Sequence, residues 1–315
     1  MPRLLTSRFV LNPCEFQLPA YRISPFTTSD LERNASLPPA NQIDSYFAGR
    51  YPTKRFIYTE NGRDAIRIAL RTLKLSREDC VTIFTTTGNH YVSGCVTKEI
   101  EKVCRWSRRM ERDTKAIFVN HEFGFAFDGL AELRSYGLPI IEDICHSFVS
   151  RNAADTVGRI GDFVVASFPK FFPIQCGGGL WHAPDFEITE EVSSDFRNYC
   201  RTVLSHYCSD IAEIAERRRE NHRRMAVLFG DLALPARFCL SEGDVPGVFM
   251  FRVPEETDLL AMKGFMAHHG VQGGGFHTEM TYFVPVHQRM TALGMSYIAD
   301  LANCYLHSTE SHHHR

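Results

Sequence analysis

Two side chains that could act together follow two short apolar runs in this sequence. Asp143 stands just past residues 138–141 in the segment IIEDICHSF, and Lys170 follows residues 163–166 in the segment GDFVVASFPKFFPIQCGGG. A lysine amine condenses with an aldehyde to form a Schiff base. A buried carboxylate can keep a pyridine nitrogen protonated. Together the two groups have the chemistry that a pyridoxal phosphate site needs.

Asp143 and Lys170 can meet only if the fold brings the ends of two strands together. Both apolar runs have the length and composition of buried strands. In an open α/β sheet, the carboxyl ends of the strands form the crevice in which ligands bind. The two residues would then lie at one site. From these residues alone, a helix-capping Asp and a solvated Lys remain the simpler alternative.

A candidate anion site precedes this pair in the segment TENGRDAIRIALRTLKL. Its apolar residues recur at helical spacing, and Asn61 and Gly62 stand where a helix cap is expected. The free amide groups of a first helical turn attract anions, Gly62 allows a ligand close to the backbone, and Arg63 could add charge. An Asn-Gly pair that only caps the helix is the alternative.

The composition excludes several classes of partner. The 315 residues include 35 Lys and Arg against 37 Asp and Glu, so no net charge favours nucleic acid or an acidic membrane. The first residues do not read as a signal peptide, and no apolar run reaches the length of a membrane span. Ten cysteines without a C-x-x-C pair indicate a reducing cytoplasm. No His or Cys cluster has metal-ligand spacing, so no metal site is predicted.

The elements that would position the site alternate along the chain. Strand signals near residues 81, 116, 138 and 163, with helical or loop segments between them, predict an α/β fold with a mainly parallel sheet covered by helices. We expect an N-terminal arm over residues 1–50, a large domain over residues 51–215 and a smaller α+β domain over residues 216–315. The basic run Arg217 to Arg219 is interpreted as a solvated helix face.

Five segments, in order, resemble the sugar aminotransferases of the DegT/StrS type. They are NGRDAIRIALRTL, KAIFVNHEFG, IIEDICHSF, GDFVVASFPKFFPIQCGGG and FVPVHQRM. The resemblance covers about residues 55–180, with a weaker similarity at residues 245–307. It implies the fold of the fold-type I pyridoxal phosphate enzymes, which have a three-layer mixed sheet and a smaller C-terminal domain.

The resemblance also implies roles for single residues. Lys170 would carry the cofactor as a Schiff base and move a proton between substrate and cofactor. Asp143 would pair with the protonated ring nitrogen, and His146 would lie near the 3-hydroxyl of the ring. A core histidine satisfied by the backbone is the alternative for His146.

The phosphate and the ring face would be bound by other residues of the motifs. The amides of Gly62 and Arg63 and the hydroxyl of Ser167 would bind the phosphate, and Tyr91, with His90 as the alternative, would stack on the ring. Three features depart from the family pattern. Lys170 follows Ser167 by fewer positions than usual, the aromatic residue is displaced from its usual place near Gly88, and charged helices replace a Gly-x-Asn segment.

The function implied by this resemblance is pyridoxal phosphate-dependent transfer of an amino group from glutamate to a nucleotide-linked keto sugar, by a homodimer. Two alternatives remain open. A lyase or dehydratase would use the same cofactor, although the retained Lys170 argues against those sugar dehydratases that have His there. A catalytically inactive protein could keep the fold as a binding module.

Overall fold

The computed structural model describes residues 19–89 and 92–310, with side chains described up to residue 307. Two β-sheets organise this part of the chain, one of seven strands and one of three. The predicted Tyr91 lies outside the described residues.

Seven strands form a mixed, mostly parallel sheet in the order β1-β7-β6-β5-β4-β2-β3. The strands are β1 Arg55–Thr59, β2 Cys80–Thr85, β3 Arg105–Ser107, β4 Thr114–Asn120, β5 Ile140–Asp143, β6 Phe163–Ser167 and β7 Gly178–His182. Strands β2 to β6 pair in parallel, and β7 runs antiparallel to both β6 and β1. The predicted fold class is confirmed, and the four predicted strands are β2, β4, β5 and β6.

Helices cover the large sheet on both faces. Alternate side chains of a strand point to opposite faces. On β6, Val164 and Ala166 join the hydrophobic cluster of helix α2 (Gln42–Arg50). Phe163 and Val165 join that of helix α3 (Gly62–Thr72). The helices in chain order are α1 Ser29–Ala35, α2 Gln42–Arg50, α3 Gly62–Thr72, α4 Gly94–Glu101, α5 Leu130–Arg134, α6 Ser194–His206, α7 Ile211–Gly230, α8 Leu259–His268 and α9 Ala292–Glu310.

A smaller antiparallel sheet forms the rest of the fold in the order β8-β10-β9. Its strands are β8 Val248–Arg252, β9 Gly274–Phe276 and β10 Thr281–Pro285. This sheet shares a second hydrophobic cluster with α8, α9 and the end of α7. Helix α7 therefore packs on both clusters, through Ile211 and Ile214 on one and through Met225 and Phe229 on the other.

Helix α3 begins where the Asn-Gly pair predicts. The Asn61 side chain accepts a hydrogen bond from the Asp64 amide at 3.1 Å, which satisfies one of the open donors of the first turn. Among the described residues, no helix combines the length and the apolar character needed to cross a membrane.

Candidate active site

Three polar side chains end neighbouring parallel strands at the same level of the sheet. Thr85 at the end of β2 pairs in register with Asn120 at the end of β4, and Asn120 pairs with Asp143 at the end of β5. Parallel strands present their carboxyl ends on one edge, where ligand crevices form. The register therefore places an acceptor-rich row along one side of the candidate site.

Lys170 lies at the end of the next strand. Strand β6 ends at Ser167, and a short 3₁₀ turn, Phe168–Lys170, follows with Pro169 at its start. The Nζ atom of Lys170 lies 2.6 Å from Nε2 of His146, which follows β5. The structure thus brings together the two segments that the sequence singled out.

His146 gives Lys170 a neutral partner. Burial lowers the pKa of His146 well below its usual range, and the charges of Lys170 and Arg218 act in the same direction. The imidazole is therefore uncharged near neutral pH, and Nε2 can accept a hydrogen bond from the lysine amine. Within the described residues, no carboxylate lies within 4.0 Å of Lys170 Nζ. Lys170 is therefore held by a hydrogen bond and not by an ion pair.

Asp143 keeps one carboxylate oxygen available. The residue is 6 % exposed, and Oδ1 accepts a hydrogen bond from the Cys145 amide at 2.8 Å. Among the described residues no N–H or O–H group donates a hydrogen bond to Oδ2, although the Cys145 thiol also interacts with this carboxylate. A buried carboxylate normally has partners for its lone pairs. Oδ2 is thus suited to a donor on a ligand, such as a protonated ring nitrogen.

The start of helix α3 packs against the end of β6. A Cβ atom on Gly62 would lie 2.9 Å from Cys145 Sγ and 3.1 Å from Ser167 Cβ, so the helix approaches this closely only because residue 62 is glycine. The first-turn amides and the Ser167 hydroxyl therefore lie close together. The Arg63 side chain is exposed to solvent. This arrangement suits a phosphate group.

A cavity of about 430 Å³ opens beside Lys170. The large sheet, the arm and the small sheet all contribute to its wall. Rings of Phe123, Phe276 and Phe283 form an apolar side, with the Phe123 and Phe283 centroids 5.2 Å apart. Phe123 has a φ of 53°, an uncommon value for a residue with a side chain, and its ring lies 4.8 Å from the His146 ring. A larger cavity of about 660 Å³ between α2 and α7 is not lined by Lys170, and Asp143 lines neither of the two cavities.

Arg218 holds the lysine turn from the other side. Its Nη2 donates hydrogen bonds to the carbonyls of Lys170 at 2.8 Å and Phe171 at 3.3 Å, and its Nε donates to Gln288 Oε1 at 2.9 Å. The side chain is 1 % exposed. The prediction of a solvated face for the run Arg217 to Arg219 is therefore wrong for Arg218, because this residue lies on the side of α7 that faces Lys170.

His121 and Glu142 contact each other beside the site. Neither residue lines the cavity, and both support the backbone around it. The Phe127 amide donates to His121 Nδ1 at 3.0 Å, so Nε2 carries the hydrogen that it shares with Glu142 Oε2 at 3.2 Å. The carboxylate of Glu142 also accepts from the amides of Gly158 and Gly161, each at 2.6 Å. This pair fixes the loop between β5 and β6.

Sequence reasoning missed several residues that line the site. In the segment KAIFVNHEFG, Asn120 ends β4, and Glu122 and Phe123 follow it. The strand-end argument applied to Asp143 would have found Asn120. Arg218 carries no local signal, because helical periodicity does not show which element a face contacts.

Comparison with known proteins supports an assignment. A family model described as "Putative PLP-dependent aminotransferase" matches residues 43–226. None of the curated proteins matches the sequence.

Solved structures share the fold. The aminotransferase TlmJ from Streptoalloteichus hindustanus has a TM-score of 0.73 at 17% identity, over 92% of this chain and 100% of that chain. The PMP-form of the "Putative sugar aminotransferase Spr1654" from Streptococcus pneumoniae has a TM-score of 0.71 at 14% identity, over 95% of this chain and 100% of that chain. A DegT DnrJ EryC1 StrS aminotransferase from Brucella abortus has a TM-score of 0.65 at 13% identity, over 88% of this chain and 94% of that chain. At such identities the likeness shows the fold.

Proposed function

Because the chain belongs to the PLP-dependent aminotransferase family whose model it matches, we propose that it transfers an amino group from glutamate to a nucleotide-linked keto sugar. The observation that carries the proposal is the contact of Lys170 Nζ with the neutral His146, at the edge of the sheet where β5 ends in Asp143. The sugar acceptor is supported by the similarity to the Streptococcus pneumoniae structure, which is described as a sugar aminotransferase. Glutamate is supported by the resemblance of the motifs to the DegT/StrS type.

The residues present fit pyridoxal phosphate. Asp143 Oδ2 accepts no hydrogen bond from an N–H or O–H group of the described residues and would hold the ring nitrogen. The amides of Gly62 and Arg63 and the Ser167 hydroxyl would bind the phosphate, because Gly62 lies against Ser167 where no larger residue fits. Lys170 would anchor the aldehyde. His146, which is in contact with Lys170, is proposed to lie near the 3-hydroxyl of the ring.

The mechanism depends on one proton near Lys170. Bound pyridoxal phosphate supplies an electron sink for negative charge at the carbon that carries the amino group. Lys170 Nζ would take up the proton that leaves this carbon and later return it. His146 Nε2, at 2.6 Å, orients the amine, and Arg218 fixes the backbone carbonyl of Lys170.

Water must be kept from this proton. The rings of Phe123, Phe276 and Phe283 cover the side of the cavity next to the small sheet. Closed aromatic walls reduce the access of solvent and strengthen the local electrostatic interactions. The small sheet therefore contributes to catalysis through the wall that it builds.

The larger organisation is part of the proposal. We propose an N-terminal arm over residues 1–50, a large domain over 51–215 and a small domain over 216–315; the two separate hydrophobic clusters support the division into a large and a small domain. A cytoplasmic homodimer is proposed from the motif resemblance, since in that fold type the site lies at the subunit interface. Tyr91 is proposed to stack on the ring.

Absorbance spectroscopy tests this function. The purified protein is mixed with pyridoxal phosphate, and spectra are recorded before and after glutamate is added, for the wild type and for Lys170→Ala. Lys263→Ala, which removes an exposed lysine of α8, is the matched control. We expect a visible band that needs Lys170, persists in the control, and converts to the pyridoxamine form with glutamate.

Other results have definite meanings. A Lys170-dependent band that glutamate does not convert would refute glutamate as donor and would favour a lyase or dehydratase. The absence of any band in the wild type would refute the proposed enzymatic activity and would favour a binding module.

A further inference from the structure

Glu122 is a buried carboxylate on the wall of the Lys170 cavity. It follows β4, is 4 % exposed, and lines the cavity together with Lys170 and His146. Its backbone amide donates to Thr86 Oγ1 at 3.0 Å, so the start of this loop is fixed. The proposed roles for the cofactor-binding residues do not use this side chain.

One oxygen of Glu122 is engaged and the other is not. Oε2 accepts hydrogen bonds from the amide of Thr87 at 3.1 Å and from its hydroxyl at 2.8 Å. Within the described residues, Oε1 accepts none. Since a charged acceptor in a buried place normally finds a donor, Oε1 is the group that a ligand would satisfy.

The charge of Glu122 is already matched by the protein. Arg237 Nη2 lies 3.9 Å from Glu122 Oε2, and Arg237 Nε lies 2.5 Å from Glu279 Oε2. Burial raises the pKa of Glu122, while Arg237 and Thr87 act against that rise. Glu279 lies nearer to solvent, with its side chain 27 % exposed. What Glu122 still offers is a place for a hydrogen-bond donor.

Several other polar side chains line the cavity, and among its described lining residues no second cation accompanies Lys170. Asn120, Ser24 and Gln272 line it with Glu122, and Lys170 is the one Lys or Arg among the described residues of the lining. Arg237, 3.9 Å from Glu122, does not line the cavity and already pairs with Glu279, so a carboxylate or phosphate placed beside Glu122 would meet repulsion. Hydroxyl groups would meet acceptors and amide groups, next to a wall of aromatic rings.

We propose that Glu122 is the residue that selects the acceptor, and that Oε1 accepts hydrogen bonds from hydroxyl groups on the neutral part of a sugar. This inference rests on the proposed function and deepens it. It places the hydroxyl-bearing ring of the substrate against the part of the cavity wall that contains Glu122, and it excludes carboxylates from that part.

The test compares amines in the half-reaction that forms the pyridoxamine form. The amines are 3-amino-3-deoxyglucose, glutamate and 1,4-diaminobutane. The variants are Glu122→Met, which removes both oxygens at similar volume, Glu122→Gln, which keeps some hydrogen bonding, and Glu279→Met as the control. Glu279 contacts the same arginine but does not line the cavity.

The expected result is a change of preference. For the amino sugar, the second-order rate constant should fall about 30-fold in Glu122→Met and about 5-fold in Glu122→Gln, as expected for a lost hydrogen bond to a charged group. The rate constant for glutamate should stay the same or rise in both variants. The Glu279→Met control should change either rate less than about twofold.

Three results would overturn the assignment. Equal losses for the amino sugar and glutamate would make Glu122 a structural residue. A loss confined to 1,4-diaminobutane would show that Glu122 recognises an ammonium group. An unchanged amino sugar rate would remove Glu122 from recognition altogether.

Binding of methyl glucoside to the unreacted protein, measured by ligand-observed NMR, separates this inference from the proposed function. Binding that Glu122→Met abolishes and Glu279→Met preserves would support the sugar wall even if glutamate does not react. Binding that is the same in wild type and Glu122→Met would refute it. Thermal unfolding of each variant verifies that it is folded.

Discussion

Glu142 and Asp143 are neighbours on strand β5, yet the structure uses their carboxylates in different ways. Both are buried. Glu142 accepts hydrogen bonds from His121 and from two backbone amides, and both of its oxygens are engaged. Asp143 accepts one, from the Cys145 amide. Because successive residues of a strand face opposite sides, the two carboxylates lie on opposite faces of the sheet, and that of Glu142 serves the scaffold.

This difference shows how a buried carboxylate can be classified. A group whose acceptor capacity is filled by the protein contributes to folding, and its loss leaves donors without partners. A group with an oxygen left over is suited to a ligand. Glu122 belongs with Asp143 by this criterion, since its Oε1 has no donor among the described residues.

The sharpest test of the comparison is Asp143→Asn. The amide cannot hold a proton on the ring nitrogen as a carboxylate does, so turnover should fall by about 10²- to 10³-fold. The unfolding free energy should change by less than about 1 kcal/mol, because one hydrogen bond from a backbone amide can be kept. Steady-state kinetics and urea unfolding measure the two quantities. A large loss of stability with intact turnover would reverse the classification.

Glu142→Gln should show the opposite pattern. The new amide group would face a backbone donor at Gly158 or Gly161, so the free energy of unfolding should fall by about 3 kcal/mol. Once folded, the variant should keep its cofactor band. Urea unfolding at fixed pH and the spectrum of the loaded protein test this, and an unchanged unfolding midpoint would contradict a scaffold role.

A buried histidine extends the comparison to pH. His222 on α7 packs between the rings of Phe125 and Phe249, and burial lowers its pKa to about 4. The unfolded chain takes up a proton near pH 6.5, whereas the folded protein does not until about pH 4. Stability should therefore fall as the pH drops through this window, by about 3 kcal/mol for this residue.

His222→Phe should remove the loss of unfolding free energy at low pH that His222 causes. Urea unfolding at pH 7, 5.5 and 4 would show that the free energy of unfolding falls less in the variant than in the wild type as the pH drops. Turnover at pH 7 should be unchanged, because the ring lies outside the Lys170 cavity. His222→Gln serves as the control that removes the titrating ring without replacing its packing. Equal pH slopes for the wild type and both variants would contradict the assignment.

Arg63→Ala should have the smallest effect. Its side chain is exposed, and the proposed phosphate contact uses its backbone amide, which the substitution keeps. The affinity for pyridoxal phosphate should weaken by no more than about fivefold, since exposed charges contribute about 1 kcal/mol or less. Fluorescence titration with the cofactor measures this. A loss of a hundredfold would place the guanidinium itself on the phosphate.

Several parts of the fold were predictable from local patterns. The four strand signals, the helix after Asn61 and the order of the motifs all depend on residues close together in sequence. Apolar periodicity and cap residues act at that range. The expectation that Asp143 and Lys170 lie near one edge of a sheet followed from the rule for parallel strands, and the register of β5 and β6 agrees with it.

Other parts of the site were out of reach of such patterns. Arg218 lies in a run of three arginines, and the sequence does not distinguish it from the exposed Arg217 or from the partly buried Arg219. Glu122 follows the strand-end Asn120, but nothing local shows that one of its oxygens lacks a donor. Its partners Arg237 and Glu279 come from distant parts of the chain.

The sequence by itself determined the residue types that can do the chemistry and the elements that carry them, because propensity, periodicity and capping operate over a few residues. Only the tertiary structure decided which of those residues meet. It placed His146 on Lys170, Arg218 behind the lysine turn and Glu122 on the cavity wall. Burial and the number of hydrogen-bond donors around each oxygen are properties of the packed molecule. They distinguish a carboxylate that stabilises the scaffold from one that can bind a ligand.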